Sequence, residues 1–137
     1  MRRDIYFGFV KIHGEEHRKA ILAANNYANA LIGMQRFEEA KLLMRKMIPV
    51  ARRLLGESDQ YTLTMRVNYA MALWRDDSAT LDDLREAVTT LEDTARIARQ
   101  VFGGANPFTS TIEVSLKVSR AVLGARETPP GSSKGSN

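Results

Sequence analysis

The segment Asn26-Tyr27-Ala28-Asn29-Ala30-Leu31 returns as Asn68-Tyr69-Ala70-Met71-Ala72-Leu73, 42 residues further on. A chain that repeats itself at this spacing must stack similar units, because one short unit cannot bury its apolar face alone. The period comes back in the connectors. Gly14, Gly56 and Gly103 each follow an apolar run, at separations of 42 and 47 residues. Glycine just past a helix accepts the left-handed backbone that closes the helix end. Repetition of this kind directs attention to extended surfaces rather than to a catalytic cleft.

Apolar spacing predicts the helices. Ile21, Ala24, Tyr27, Ala28 and Leu31 form one stripe, and Phe37, Ala40, Leu43, Met44, Met47, Ile48, Ala51 and Leu55 a second. Leu63, Val67, Ala70, Leu73 and Trp74 form a third, Leu84, Ala87, Val88, Leu91, Ala95, Ala98 and Val101 a fourth, and Ile112, Leu116, Val118 and Val122 or Leu123 a looser fifth. No run alternates with period two long enough for a strand. Gly33-Met34-Gln35-Arg36 reads as a tight connector between antiparallel helices. The five extra residues of the second unit fall within Arg75–Thr80, before a Thr80/Asp83 pair at capping-box spacing. Ser58 or Asp59 can cap the third helix, and Asn106-Pro107 marks the start of the fifth. Pro49 removes one backbone hydrogen bond and clashes one turn back, at roughly 3 kcal/mol unless packing compensates. The expectation is a kink near Arg45–Pro49 with the helix continuing to Leu55.

These features predict an all-α chain divided as 1–13, the end of a helix from an incomplete preceding unit; 14–56, a first helical hairpin; 57–103, a second hairpin with the insertion; 104–124, a terminal or capping helix; and 125–137, a disordered tail rich in Pro, Gly and Ser.

The motifs Asn25-Asn26-Tyr27-Ala28 with Leu31, Phe37-Glu38-Glu39-Ala40 and Leu54-Leu55-Gly56 resemble the tetratricopeptide repeat family, in the 42-residue form of kinesin light chains. The likeness returns in Asn68-Tyr69-Ala70, Leu73, Arg85-Glu86-Ala87 and Phe102-Gly103, and Gly103-Gly104-Ala105-Asn106-Pro107-Phe108-Thr109 is similar to the family's Gly-x-x-His-Pro-x-Thr junction, with Asn106 in place of His. It covers residues 14 to 123. Gln35 stands where glycine is common, and Lys117 and Arg120 stand where a small and a large apolar residue are expected. The resemblance implies an α-solenoid, a right-handed superhelical stack of about five helices, in which the first helix of each pair lines a concave groove that holds extended peptides.

Charge and composition narrow the functions. Residues 1–56 hold 11 Lys/Arg and 5 Asp/Glu, and residues 57–124 hold 7 and 10, so a basic front faces an acidic back. The basic residues are spread over helix faces with few aromatics to stack on bases, which argues for a solvated surface over nucleic-acid binding. The chain has no cysteine, which excludes disulfides and thiolate chemistry and fits a reducing compartment. The run Ile5–Val10 is too short for a signal core, and nothing approaches the length of a membrane span. The expectation is therefore an intracellular, cytoplasmic protein.

Catalytic patterns are weak. His13-Gly14-Glu15-Glu16-His17 fits H-x-x-E-H, which needs one continuous helix and a third ligand. Gly14 aligns with two helix-ending glycines, and no third ligand is near, so no metal or other cofactor is expected. Asp76, Asp77, Asp82 and Asp83 lack the EF-hand pattern and read as a solvated loop and an acidic helix start. No nucleophile–base pair or phosphate loop is present, so no enzyme activity is expected.

Asn25, Asn26 and Asn29 crowd a helix centre although asparagine is a mediocre helix former. An amide both donates and accepts, so Asn25, Asn29, Asn26 and Asn68 are candidates for bonding the backbone of an extended peptide, with Val67, Met71 and Val118 as apolar neighbours along the same faces. The competing reading is that Asn26 and Asn68, being in register, satisfy turns between neighbouring helices, and it is weighed for Asn25 and Asn29 as well. The function expected is a protein-interaction scaffold with a peptide or partner-domain groove. The alternative is self-association through the open repeat ends into homo-oligomers.

Overall fold

The computed structural model describes residues 14–128. The expected partial helix at 1–13, with His13, lies outside the described residues, as do residues 129–137. Five helices follow in order: α1 Gly14–Gly33, α2 Phe37–Leu55, α3 Gln60–Trp74, α4 Leu81–Phe102 and α5 Pro107–Glu127. Among the described residues there is no strand.

Helices α3, α4 and α5 start where a side chain satisfies free N–H groups of the first turn. Asp59 accepts from the Tyr61 N–H at 2.8 Å, and Asn106 accepts from the Phe108 N–H at 2.8 Å, with Pro107 in the first turn of α5. At α4 the Thr80 hydroxyl accepts from the Asp83 N–H while the Asp83 carboxylate accepts from the Thr80 N–H, both at 3.0 Å. Asp76 accepts from the Ser78 N–H at 2.9 Å in the preceding loop. Asp76 and Asp83 thus serve turn and cap. At the other ends Gly56 and Gly103 take φ values of 100° and 89°. Gly14, by contrast, is the first residue of α1. Helix α2 runs through Pro49 to Leu55. Pro49 lies on its exposed side, where water can take the carbonyl that lacks a donor.

The connector after α1 holds a strained residue. Gln35 has φ 61°, the left-handed region that glycine enters freely and a side chain enters at about 1–2 kcal/mol.

Helix α3 is the centre of the molecule. It packs against α1, α2, α4 and α5, and ten of its fifteen residues are buried. Helices α1, α3 and α5 lie in one layer, and α2 and α4 in the other. Ile21, Ala28, Met44, Leu63, Leu73, Leu91 and Ile112 share one core, and Leu31, Ile32, Ala40 and Ala72 form a smaller one beside it. Burial of a leucine or methionine such as Leu63 or Met44 contributes about 1.5–3 kcal/mol.

Helix α5 departs from the pattern in two ways. Lys117 and Arg120 are exposed where the matching Ala70 and Leu73, 47 residues earlier, are fully buried. No further helix lies on that flank among the described residues, and Arg120 instead reaches Glu92 at 2.9 Å. The helix also continues past Gly124 to Glu127, into the segment expected as tail. Arg126 donates to the Ala79 carbonyl, and Arg85 lies 3.4 Å from Glu127. These tertiary partners hold a last turn that apolar spacing does not mark.

Candidate binding face of α1, α3 and α5

Of α3 only Gln60, Tyr61, Thr64, Met71 and Trp74 are not buried; Gln60, Thr64 and Met71, followed by Arg75 just past the helix end, fall at the spacing of one helical face. The repeat register extends this strip across the layer. Shifts of 42 and 47 residues bring Asn29, Met71 and Val118 into one row and Leu22, Thr64 and Thr111 into another. Asn29 and Thr111 are exposed, Met71 and Thr64 half-buried, and Leu22 and Val118 stand 40% and 39% exposed. The row next to these is Asn25, Val67 and Val114. Its first two members are buried, while Val114 is open.

The asparagines divide by burial. Asn25 and Asn68 are 2% and 4% exposed. The Asn68 amide donates to the Asn25 side-chain oxygen at 3.0 Å, and the Asn25 amide donates to the Tyr61 carbonyl at 3.2 Å. Both were expected as contacts to a peptide, and both amides are instead spent tying α1 to α3. Val67 is buried with them. Asn26 and Asn29 remain exposed, and Met71 and Val118 accessible, of the residues singled out from the sequence. Leu22, Thr64 and Thr111 were missed, although the same register arithmetic applied to Leu22 finds them.

The opposite face has a cleft of about 290 Å³ between α2 and α4, floored by α3 and lined by Arg45, Arg52, Arg66, Tyr69 and Glu86 among others. Its charges are balanced internally. The Tyr69 hydroxyl accepts from Arg45 at 3.2 Å and donates to Glu86 at 2.5 Å. Burial, then the bond to Glu86, pushes the Tyr69 phenol above its ordinary pKa, while the bond to Tyr69 raises that of Arg45. Arg66, nearly buried, donates to Asp93 at 2.7 Å, and this bond holds the Asp93 carboxyl below the usual range. Arg52 lies 3.1 Å from Glu57. Every guanidinium here has a carboxylate or phenol of the same chain, so this cleft is a structural network.

Among the described residues no group of three or more His, Cys, Asp and Glu is placed to hold a metal ion, and no helix is long and apolar enough to cross a membrane.

Comparison with protein families places a tetratricopeptide repeat at residues 21–61, from the first turns of α1 through α2 to the start of α3. Comparison with curated proteins and with solved structures gave no match. Repeats of this family mediate protein–protein interactions and act as scaffolds. The hairpin of α1 and α2 thus carries a tetratricopeptide repeat, and that of α3 and α4 is built on the same register.

Proposed function

We propose that the protein is a binding scaffold in which the open face of α1, α3 and α5 holds an extended segment of a partner protein. The observation that carries this reading is the row Asn29, Met71 and Val118. Three helices offer the same register position, each accessible, above a row locked by the Asn25–Asn68 bond. The side chains suit the task. Asn29 can both donate to and accept from a peptide backbone without regard to its sequence. Met71 and Val118 offer apolar contact beside it, and the thioether of Met71 adapts to varied shapes. Leu22 and Val114 widen the apolar floor on either side. The stack would present this face as the concave side of a short superhelix, as in the 42-residue repeats that the sequence resembles.

The test is selection of peptides from a random library on the full chain, followed by titration of a selected peptide against variants. Asn29→Ala removes one amide pair and is expected to weaken binding by about 1 kcal/mol. Met71→Asp places a charge at the centre of the row and is expected to cost about 2 kcal/mol or more, as loss of a central contact does. A peptide whose affinity is unchanged by both substitutions would place the binding surface elsewhere.

A further inference from the structure

Helix α2 turns a row of cations outward. Arg45, Lys46, Pro49, Arg52 and Arg53 are exposed and fall at the spacing of one helical face. No acidic residue lies between Leu42 and Leu55. Lys46 and Arg53 form no hydrogen bond or ion pair among the described residues. Arg45 and Arg52 meet Tyr69 and Glu57 through Nε, which leaves the terminal nitrogens of each for another acceptor. The repeat does not require this row. A shift of 47 residues sets Glu92 and Asp93 on Arg45 and Lys46, and Gln100 on Arg53.

The cleft between α2 and α4 opens beside the row. Arg45 and Arg52 line it, one turn to either side of Ile48 and Pro49, with Tyr69 and Arg66 at its floor. Pro49 has no N–H to give the Arg45 carbonyl one turn before it, so that carbonyl is open to a donor from outside the helix. Arg66 Nη1 has no hydrogen-bond partner, and Glu57 Oε1 stands 3.9 Å from it. An apolar patch with spare backbone-binding groups thus lies between two cationic ends.

We propose that the outer face of α2 binds an extended acidic segment of a partner protein. One carboxylate meets Arg45 and Lys46, a second meets Arg52 and Arg53, and an aliphatic side chain between them enters the cleft. The lengths agree. The two cation pairs lie seven residues apart, about 10 Å along a helix. Alternate residues of an extended chain point to one side, and four residues span about 13 Å. Acidic residues at the first and fifth positions, with an aliphatic one at the third, therefore face α2 together, within reach of the long arginine side chains. Backbone groups of the segment meet the Arg45 carbonyl and the Arg66 guanidinium. The rest of the cleft selects against broader polyanions. Glu86 lines its far wall, and Asp93 stands beside Arg66. A nucleic-acid duplex or a membrane surface laid over both helices meets these carboxylates, whereas a single chain along α2 passes them by. This surface belongs to the outer layer and does not depend on the row of Asn29, Met71 and Val118.

The probe is the fluorescein-labelled peptide Gly-Glu-Thr-Leu-Thr-Glu-Gly, titrated with the full chain by fluorescence anisotropy at low salt. Versions with Gln for both Glu, or with Ser for Leu, are each expected to bind about tenfold more weakly. Lys46→Glu/Arg53→Glu alters only exposed side chains without partners. It is expected to lower affinity for the probe about tenfold or more, with helix content by circular dichroism unchanged, and to favour the peptide carrying Lys for both Glu. Affinity of the unaltered chain for the probe falls as salt rises. The proposal is overturned if the probe binds no more tightly than its Gln version, or if the double variant binds it as well as the unaltered chain. It is also overturned if Met71→Asp, rather than the charge reversal, abolishes binding, since the probe then sits on the opposite face. Binding of a DNA duplex or of phosphatidylserine vesicles in place of the probe would overturn it too, and would make the partner a polyanionic surface.

Discussion

The side-chain amide of Asn68 donates to the side-chain oxygen of Asn25 at 3.0 Å, joining two helices whose asparagines lie 43 residues apart in the chain. The pair sits out of water, and the second function of Asn25, its bond to the Tyr61 carbonyl, fixes where α3 begins relative to α1. Substitution therefore acts on stability first. Asn68→Ala leaves a buried oxygen without its donor and is expected to destabilise by about 1–3 kcal/mol in urea denaturation. The double change Asn25→Ala/Asn68→Ala should cost less than the sum of the single changes, because the two amides share one bond. Additive losses would mean that the bond contributes nothing.

Gln35 gives the opposite sign. Its φ of 61° is one that glycine adopts without a clash, and its Cβ serves no packing role on the exposed connector. Gln35→Gly is expected to stabilise the chain by about 0.5–1 kcal/mol, the relief of strain being partly offset by the greater freedom of glycine in the unfolded chain. A thermal midpoint unchanged or lowered by the substitution would refute this.

Asp93 links stability to acid. Its carboxyl pKa is lowered, first by the hydrogen bond from Arg66, so the folded state favours the ionised form. The stabilisation is then complete above the ordinary carboxylate pKa of about 4 and is lost as pH falls below that, through the lowered folded value. Asp93→Asn should remove this part of the acid dependence. At neutral pH it should also destabilise by about 1–2 kcal/mol, since it weakens a hydrogen bond to the nearly buried Arg66. Urea midpoints of both proteins between pH 7 and pH 3 provide the comparison.

Tyr69 acts at the alkaline end. Its phenol pKa is raised, chiefly by burial and then by the bond to Glu86, so folding favours the protonated form. The contribution is complete below the ordinary phenol value of about 10 and fades as pH rises through the folded one. Tyr69→Phe breaks both the Arg45 and Glu86 bonds. It is expected to cost about 1 kcal/mol at neutral pH and to flatten the decline of the thermal midpoint above pH 10. An unchanged alkaline profile would assign that decline to other groups.

The fold was legible because its signals are local. Spacing of apolar residues marks a helix without knowledge of its neighbours, and Asp59, Thr80 and Asn106 announce helix starts by chemistry confined to a few residues. The strain at Gln35 was visible only as a missing glycine. The end of α5 was not legible, since Arg126 and Glu127 are held by Ala79 and Arg85, more than forty residues away. The candidate face was legible by halves. Register predicts that Asn25 and Asn29 share a face of α1, four residues apart, but not that α3 rises against Asn25 and leaves Asn29 open. A single turn of helix separates a residue that builds the fold from one left open to solvent, and only the packing of the next helix tells them apart.

The clasp from Arg126 to the Ala79 carbonyl gives the loop between α3 and α4 a mechanical role. Those extra residues are anchored at their far side by the end of α5 rather than left slack. A pull on the last turn of α5, from a ligand or from chain beyond it, would tug on the hinge of the second hairpin before it reached the core.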